Sequence, residues 1–228
     1  MSDLEARIRR GMERQLEQRS ARLQEGARPV GWKVGFGTAA AMEQLGVSAP
    51  LVGFLTDATR VESGATVSVS DWAKPMFEPE VAVHIAHDLQ AGADPGEVER
   101  AISGLGPAIE LIDPDPLPPD PEEVLAGNIV HRGFVLGPPR PGTSLEGVRG
   151  RVLVDEEESA RADDPQALPG QFVALTAHVA GVLESVGERL RGGEVIITGS
   201  MVAPLPIRAG RRFRYELDPV GTLELTFG

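Results

Sequence analysis

The chain has 228 residues, 41% hydrophobic and 25% charged, with 22 basic against 34 acidic side chains and a formal net charge of −12. That length suits one large domain with a sizeable core, and the excess of acid excludes binding driven by nucleic-acid phosphates and discourages adsorption to anionic membranes. The absence of cysteine excludes disulfides, thiolate metal sites and a cysteine nucleophile.

Residues 1–28 read as an N-terminal helical arm ahead of a single catalytic, β-rich domain over 29–228. Across 3–25, Leu4, Ile8, Met12 and Leu16 recur at a spacing of four with charges between them. Gly11 weakens that helix, and the other reading is an arm that orders only against another subunit. The first 26 residues mix charge with apolar side chains and hold no secretory core, and no run approaches the roughly 20 apolar residues of a membrane helix. A cytoplasmic enzyme is the expectation.

From Pro29 onward the pattern is strand-like and rich in glycine. Strands are expected at 61–69, 80–85 and 108–112, with a helix over 94–105 that has Asp94 as its N-cap and Pro95 in its first turn. Residues 113–123 hold five prolines and five acidic residues and read as a loop, an active-site flap following Glu110. Strands follow at 134–136 and 148–154, and the acidic run 155–164 reads as a solvated hairpin tip. A long amphipathic helix is expected over 171–191, ended by Gly192-Gly193, and strands at 194–198, 213–217 and 222–227 complete the chain. Short strands joined by glycine and proline turns define an α+β fold dominated by β-structure.

The chemistry-bearing pattern is Glu78-Pro79-Glu80, with a third carboxylate at Glu110 and a lysine at Lys33. Alternate residues of a strand share a face, which sets Glu78 and Glu80 side by side at roughly 6.5–7 Å between Cα atoms. Glu110 interrupts an apolar run and needs a partner if buried. A cation satisfies all three, and oxygen ligands favour Mg²⁺ or Mn²⁺ over zinc; a solvated E-x-E face, or an arginine partner for Glu110, is the competing reading. Lys33 and Lys74 are the only lysines, against twenty arginines. Lysine exchanges a proton where arginine does not, so Lys33 in Gly31-Trp32-Lys33-Val34-Gly35 reads either as an acid/base group or as an exposed lysine in a glycine turn. Lys74 reads as a surface charge. His84 and His87 fall at a strand end, and His131 and His178 have no spacing that suggests a site.

The ordered series of motifs resembles the 2-keto-4-pentenoate hydratase / 4-oxalocrotonate decarboxylase family of the fumarylacetoacetate hydrolase superfamily. Gly31-Trp32-Lys33-Val34-Gly35 is similar to that family's G-x-K-[VI]-G, and Lys74-Pro75-Met76-Phe77-Glu78-Pro79-Glu80 to its Q-P-x-x-E-x-E. Ala108-Ile109-Glu110 is similar to its A-[IL]-E, and the run from Gly193 to Ser200 to its G-D-x-V-x-T-G-S. The chain differs at Met76, where members often carry a basic residue, at Gly127, where they carry aspartate before Asn128, and at Glu194, which replaces aspartate.

The resemblance implies a mixed β-roll or sandwich with peripheral helices and usually a homo-oligomer, with association to a related decarboxylase as a further arrangement. It implies Glu78, Glu80 and Glu110 as ligands of Mg²⁺ or Mn²⁺, Lys33 as the catalytic acid/base, and Lys74, Asn128, Thr198 and Ser200 as substrate-binding residues. The implied substrate is a small anionic 2-oxo or 2-hydroxy acid, and the implied reaction is hydration of a short 2-hydroxy-dienoate through a metal-stabilised enolate. The rival readings are 2-oxo acid decarboxylation, C–C hydrolysis of an acylpyruvate, and a non-catalytic partner subunit. The hydrolase is expected to need a histidine near the site; none lies beside Lys33 or upstream of the E-x-E motif, and His131 and Arg132 stay open as distant residues that fold into it.

Overall fold

The computed structural model describes residues 2–142 and 144–228. In chain order, helix α1 (Asp3–Gln24) leads to β1 (Pro29–Gly35), α2 (Ala39–Leu45), β2 (Leu51–Thr56), the short β3 (Thr66–Val67) and the long β4 (Met76–Ile85). Then come α3 (Pro95–Ala101), β5 (Ile102–Ile112), α4 (Pro121–Ala126), β6 (His131–Leu136), β7 (Arg140–Pro141), β8 (Arg149–Val154) and β9 (Glu157–Ala162). The last elements are α5 (Phe172–Ser185), β10 (Val195–Ile197), β11 (Leu205–Pro206), β12 (Arg212–Asp218) and β13 (Gly221–Phe227).

Two sheets result. The larger runs β2-β1-β10-β4-β5-β6, with β11 beside β4 and β7 beside β5; the smaller runs β3-β13-β12-β8-β9. Arg60, just past β2, bridges to Phe134 of β6, and the Val61 N–H donates to the Phe134 carbonyl at 2.8 Å. Since β2 and β6 are opposite ends of the strand order, the large sheet curls into a roll. Alternation sorts its side chains: Trp32, Phe77, Val81 and Ile109 join the main core with Phe213 and Tyr215 of the small sheet and Val179 of α5. Leu55, Ala82, Ala108, Phe134 and Ile197 form a second cluster on the other face, the face that carries Lys33, Glu78, Glu80 and Glu110.

Helix α1 starts at a capping box in which Ser2 and Glu5 exchange hydrogen bonds. Its stripe is buried within the chain, with Leu4, Ile8 and Met12 packing against Val124 and Leu125 of α4. Gly11 permits that approach, because a Cβ there would lie 2.7 Å from the Glu122 carbonyl oxygen. Arg10 and Arg14 add pairs to Glu122 and Glu123. The stripe therefore orders against its own chain, with Met12 buried and Leu4, Ile8 and Leu16 half-buried.

Several boundaries differ from the sequence reading. Helix α3 keeps its Asp94 cap but ends at Ala101, because Ile102 onward pairs with β4. The 113–123 segment is not loop throughout, since Asp120 caps α4 and Pro121 opens it. The 155–164 run is a two-residue turn, Asp155 and Glu156 with φ of 50° and 70°, followed by the exposed edge strand β9; its charges suit an unpaired edge. Helix α5 stops at Ser185, six residues before the expected end at 191. Gly187, at φ 81°, allows the Glu188 N–H to reach the Leu183 carbonyl, a left-handed helix stop that precedes Gly192-Gly193. No helix among the described residues is long and apolar enough to cross a membrane.

Candidate active site

Strands β4 and β5 pair so that Glu78 stands directly opposite Glu110, and Glu80 opposite Ala108. The three carboxyl groups converge, each offering one oxygen within 4.8 Å of the others. Like charges directly opposed across a ladder repel, so this register is relieved by positive charge or by protons on the carboxyls. The protein supplies one lysine. Lys33 on β1 is buried, with its Nζ 2.5 Å from Glu110 Oε1 and donating to the Ile129 carbonyl at 3.1 Å. The alternative of an exposed lysine in a glycine turn is thereby corrected. Its channel depends on Gly53 opposite it on β2, where a Cβ would sit 2.9 Å from Lys33 Cγ.

The Ile129 carbonyl is delivered by an unusual turn. Asn128, Ile129 and Val130 all adopt left-handed backbone, with φ of 51°, 54° and 55°. Such conformations cost roughly 1–3 kcal/mol each and are worst for β-branched side chains. The turn is pinned by Asn128, whose Oδ1 accepts from the Phe54 N–H and whose Nδ2 donates to the Phe54 carbonyl. Both ends of the Asn128 amide thus engage β2, and Asn128 is not among the residues that line the cleft opening from Lys33.

The same turn releases His131 into the site. Its Nδ1 lies 2.7 Å from Glu110 Oε1, and its Nε2 lies 3.0 Å from Thr59 Oγ1. An ionised carboxylate only accepts, so Nδ1 carries the proton toward Glu110. Spacing along the chain gives no sign of this placement, which the sequence leaves open only as a distant residue folding in. His131 lies 21 positions from Glu110, and only the pairing of β5 with β6, through the register shift between Leu111 and Ile112, makes them neighbours.

Glu80 is fixed from both ends: the Gly199 N–H donates to its Oε2 at 2.7 Å, and the Tyr215 hydroxyl donates to its main-chain carbonyl at 2.9 Å. Its Oε1 is buried with no partner. Burial pushes the Glu78 carboxyl up to about 8, reinforced by the Glu110 charge and opposed by Lys33. Burial, then the charges of Glu110 and Glu78, raises Glu80 well above its usual range. Burial would also raise Glu110, but Lys33 and His131 together hold it below its ordinary value. Burial lowers the His131 imidazole against the pull of Glu110, favouring the neutral ring. Three converging carboxyls, one ammonium, a neutral histidine and an orphaned buried oxygen fit a hard divalent cation, with Glu78, Glu80 and Glu110 as the residues able to hold it.

A cleft of about 350 Å³ opens from Lys33 and Glu78 toward solvent. Thr198, Ser200, Lys74 and Met76 line it. The Thr198 hydroxyl donates to the Val81 carbonyl at 3.1 Å, whereas the Ser200 hydroxyl is buried without a partner. Lys74 is exposed at the rim rather than on an unrelated surface, and its N–H is anchored by Asp113 at 2.7 Å. Gly127 is exposed beyond α4 and does not line the cleft. His84 is partly buried four residues beyond Glu80, with its Nε2 unpartnered, and takes no part in the acidic cluster.

A curled mixed sheet backed by a second sheet, with an acidic triad and a buried lysine on one face, defines the fumarylacetoacetate hydrolase type of α+β fold. The chain belongs to the 2-keto-4-pentenoate hydratase / 4-oxalocrotonate decarboxylase family within that superfamily. It is 30% identical over 212 residues to a 4-oxalocrotonate decarboxylase of a Pseudomonas species, covering 90% of this chain and 81% of the relative. It is 29% identical over 215 residues to the 2-hydroxyhexa-2,4-dienoate hydratase of Comamonas testosteroni, with the same coverage of 90% and 81%. Among solved structures, the 4-oxalocrotonate decarboxylase from Pseudomonas putida G7, complexed with magnesium and adipate, superimposes with a TM-score of 0.86 at 28% identity, over 94% of this chain and 83% of that one. No protein-family model matches the chain. Its relatives thus include both hydratases and decarboxylases.

Proposed function

We propose that the protein is a Mg²⁺- or Mn²⁺-dependent lyase that hydrates a short 2-hydroxy-dienoate. The observation that carries this is the cluster of Glu78, Glu80 and Glu110 beside Lys33, with Glu78 and Lys33 lining one cleft; the magnesium bound in the decarboxylase relative supports it. When bound, the divalent ion supplies Lewis-acid stabilisation of negative charge on the substrate's 2-oxygen. The chain's residues do the rest. Lys33 reaches the cleft while paired to Glu110, which suits it to give and take protons at the substrate carbons. The balance is simple: C5 gains a proton as the 2-hydroxyl loses one, the oxygen of water adds at C4, and C3 takes the remaining proton. Thr198 and Ser200 line the wall beside Lys33, and the free Ser200 hydroxyl is available to a substrate oxygen.

Hydration is favoured over C–C hydrolysis because both nitrogens of His131 are engaged, one by Glu110 and one by Thr59, and the ring lies off the cleft. A histidine does reach the site, the arrangement the sequence left open for His131, but it is not free to activate water. Decarboxylation is the second reading, favoured by Lys74 at the cleft rim, which makes no ion pair among the described residues and is available to a second carboxylate. The test is to incubate the protein with Mg²⁺ and, separately, 2-hydroxypenta-2,4-dienoate, 4-oxalocrotonate and an acylpyruvate, with NMR of the products. A hydrated product from the dienoate, lost in Glu80→Ala, is expected. Carbon dioxide from the diacid, or cleavage of the acylpyruvate, without hydration of the dienoate would overturn the assignment. Self-association is part of the proposal, and light scattering that returned the single-chain mass of 24.2 kDa would count against it.

A further inference from the structure

Beyond Lys33 and Glu78, the cleft changes character. Its outer walls come from four separate segments: Phe36 after β1, Leu117 in the 113–120 loop, Leu168 in the loop before α5 and Val202 in the loop after β10. All four are apolar. Leu168, at 38%, is the only large hydrophobic side chain exposed among the described residues. A scattered exposed leucine needs no explanation, but this one stands at the mouth of a cleft whose walls are already apolar and whose lining includes Lys33 and Glu78. A site of about 350 Å³ falls at the lower end of pockets that take drug-sized ligands, about 300–1,000 Å³. A short dienoic acid with its carboxylate end at Lys33 and Glu78 leaves the outer cleft to water. Water against apolar walls is the costly arrangement, and an apolar substituent displaces it.

We propose that the substrate carries an apolar alkyl or aryl tail at the end remote from its carboxylate, lodged between Leu168, Leu117, Phe36 and Val202, and that these residues set the specificity of the site. The inference rests on the 2-oxo/2-hydroxy acid reading above and names its substrate class more closely. The tail approaches past Leu168, so a charged end group would have to be desolvated against four apolar side chains unless it turned outward to Lys74.

The experiment is calorimetric titration of the full-length, Mg²⁺-loaded protein with pyruvate, 2-oxohexanoate and 2-oxoadipate. The last two share a chain length and differ in whether the far end is methyl or carboxylate. The expected order is 2-oxohexanoate tighter than pyruvate by about tenfold or more, from burial of its additional methylenes, and tighter than 2-oxoadipate. Leu168→Asp should shrink the advantage of 2-oxohexanoate over pyruvate, and an unchanged advantage would overturn the inference; because Leu168 is exposed, the variant is expected to fold. Tighter binding of 2-oxoadipate than of 2-oxohexanoate would overturn the inference while leaving the 2-oxo acid reading intact, as would equal affinity for all three acids. Failure of every acid, pyruvate included, to bind in a Mg²⁺-dependent way would overturn both together.

Discussion

Lys33 is held by two acceptors, Glu110 Oε1 and the Ile129 carbonyl, in a channel cleared by Gly53. Lys33→Arg keeps the charge but not an exchangeable proton, so we predict a loss of roughly 10²–10⁴-fold in turnover, the usual contribution of a general acid–base group, with Mg²⁺ binding retained; near-parent turnover would reduce Lys33 to an electrostatic role. His131 acts through Glu110 and is a positioning residue. Its two nitrogens have different partners, and that makes it testable. His131→Asn places an amide donor near the Nδ1 position facing Glu110, whereas His131→Gln places one near the Nε2 position facing Thr59. We predict that the asparagine variant keeps Mg²⁺ affinity close to that of the parent and that the glutamine variant loses on the order of tenfold, as for other groups that orient metal ligands. Equal affinities in calorimetry would mean that the Glu110 contact does not orient the ligand.

The element that organises the site is the left-handed turn at residues 128–130, between α4 and β6. It aims one carbonyl at Lys33 and places His131 against Glu110. Its strain is offset by the paired hydrogen bonds of Asn128 to Phe54 on β2. Asn128→Ala leaves the buried Phe54 N–H and carbonyl without these partners, a penalty of roughly 1–3 kcal/mol. We predict a lower Tm and faster hydrogen exchange at the Phe54 N–H; protection equal to the parent's would show that something other than Asn128 pins the turn. Helix α4 is in turn seated by α1 through the Gly11 approach and the arginine pairs. The N-terminal helix therefore supports the active-site turn from behind, although no residue of it lines the cleft.

At the scale of the molecule, folding buries acidic groups at a cost that depends on pH. The ordinary value for Glu78 is 4.5, and in the folded protein it rises to about 8; Glu80 moves in the same direction. Between those values the folded chain holds protons that the unfolded chain has released, so stability is greatest below 4.5 and falls as pH rises toward 8. Glu110, held below its ordinary value, has the opposite sign: its contribution is present above 4.5 and is lost on acidification below it. Burial lowers the His131 and His84 imidazoles, which acts in the opposite direction below about pH 6.5, so for protein stripped of metal with EDTA we predict a Tm that declines between about pH 6.5 and pH 8. Added Mg²⁺ should restore it strongly near pH 8 and little near pH 5, where protons compete for the same oxygens. A Tm that rises over that range without metal, or a Mg²⁺ increment independent of pH, would refute the charge assignment.

Much of this was legible in the residues. Strand alternation alone put Glu78 and Glu80 on one face, and an apolar run around Glu110 signalled a carboxylate in need of a partner. The isolated Lys33 and the order of the motifs indicated the family. Local signals also set the start of α1 and the Asp94-Pro95 start of α3. An equivalent Asp120-Pro121 start for α4 was hidden among neighbouring prolines, and Gly187 stopped α5 before the more conspicuous Gly192-Gly193. The tertiary structure alone decided the rest. Register sets Glu78 opposite Glu110, and closure of the roll brings β6 round to β2. Those long-range pairings put His131 on Glu110, brace Asn128 against Phe54, and convert Lys33 from a glycine-loop lysine into a buried one. Spacing along the chain reports periods of two and 3.6 residues within an element, whereas a contact between elements depends on register and closure, which no local period encodes.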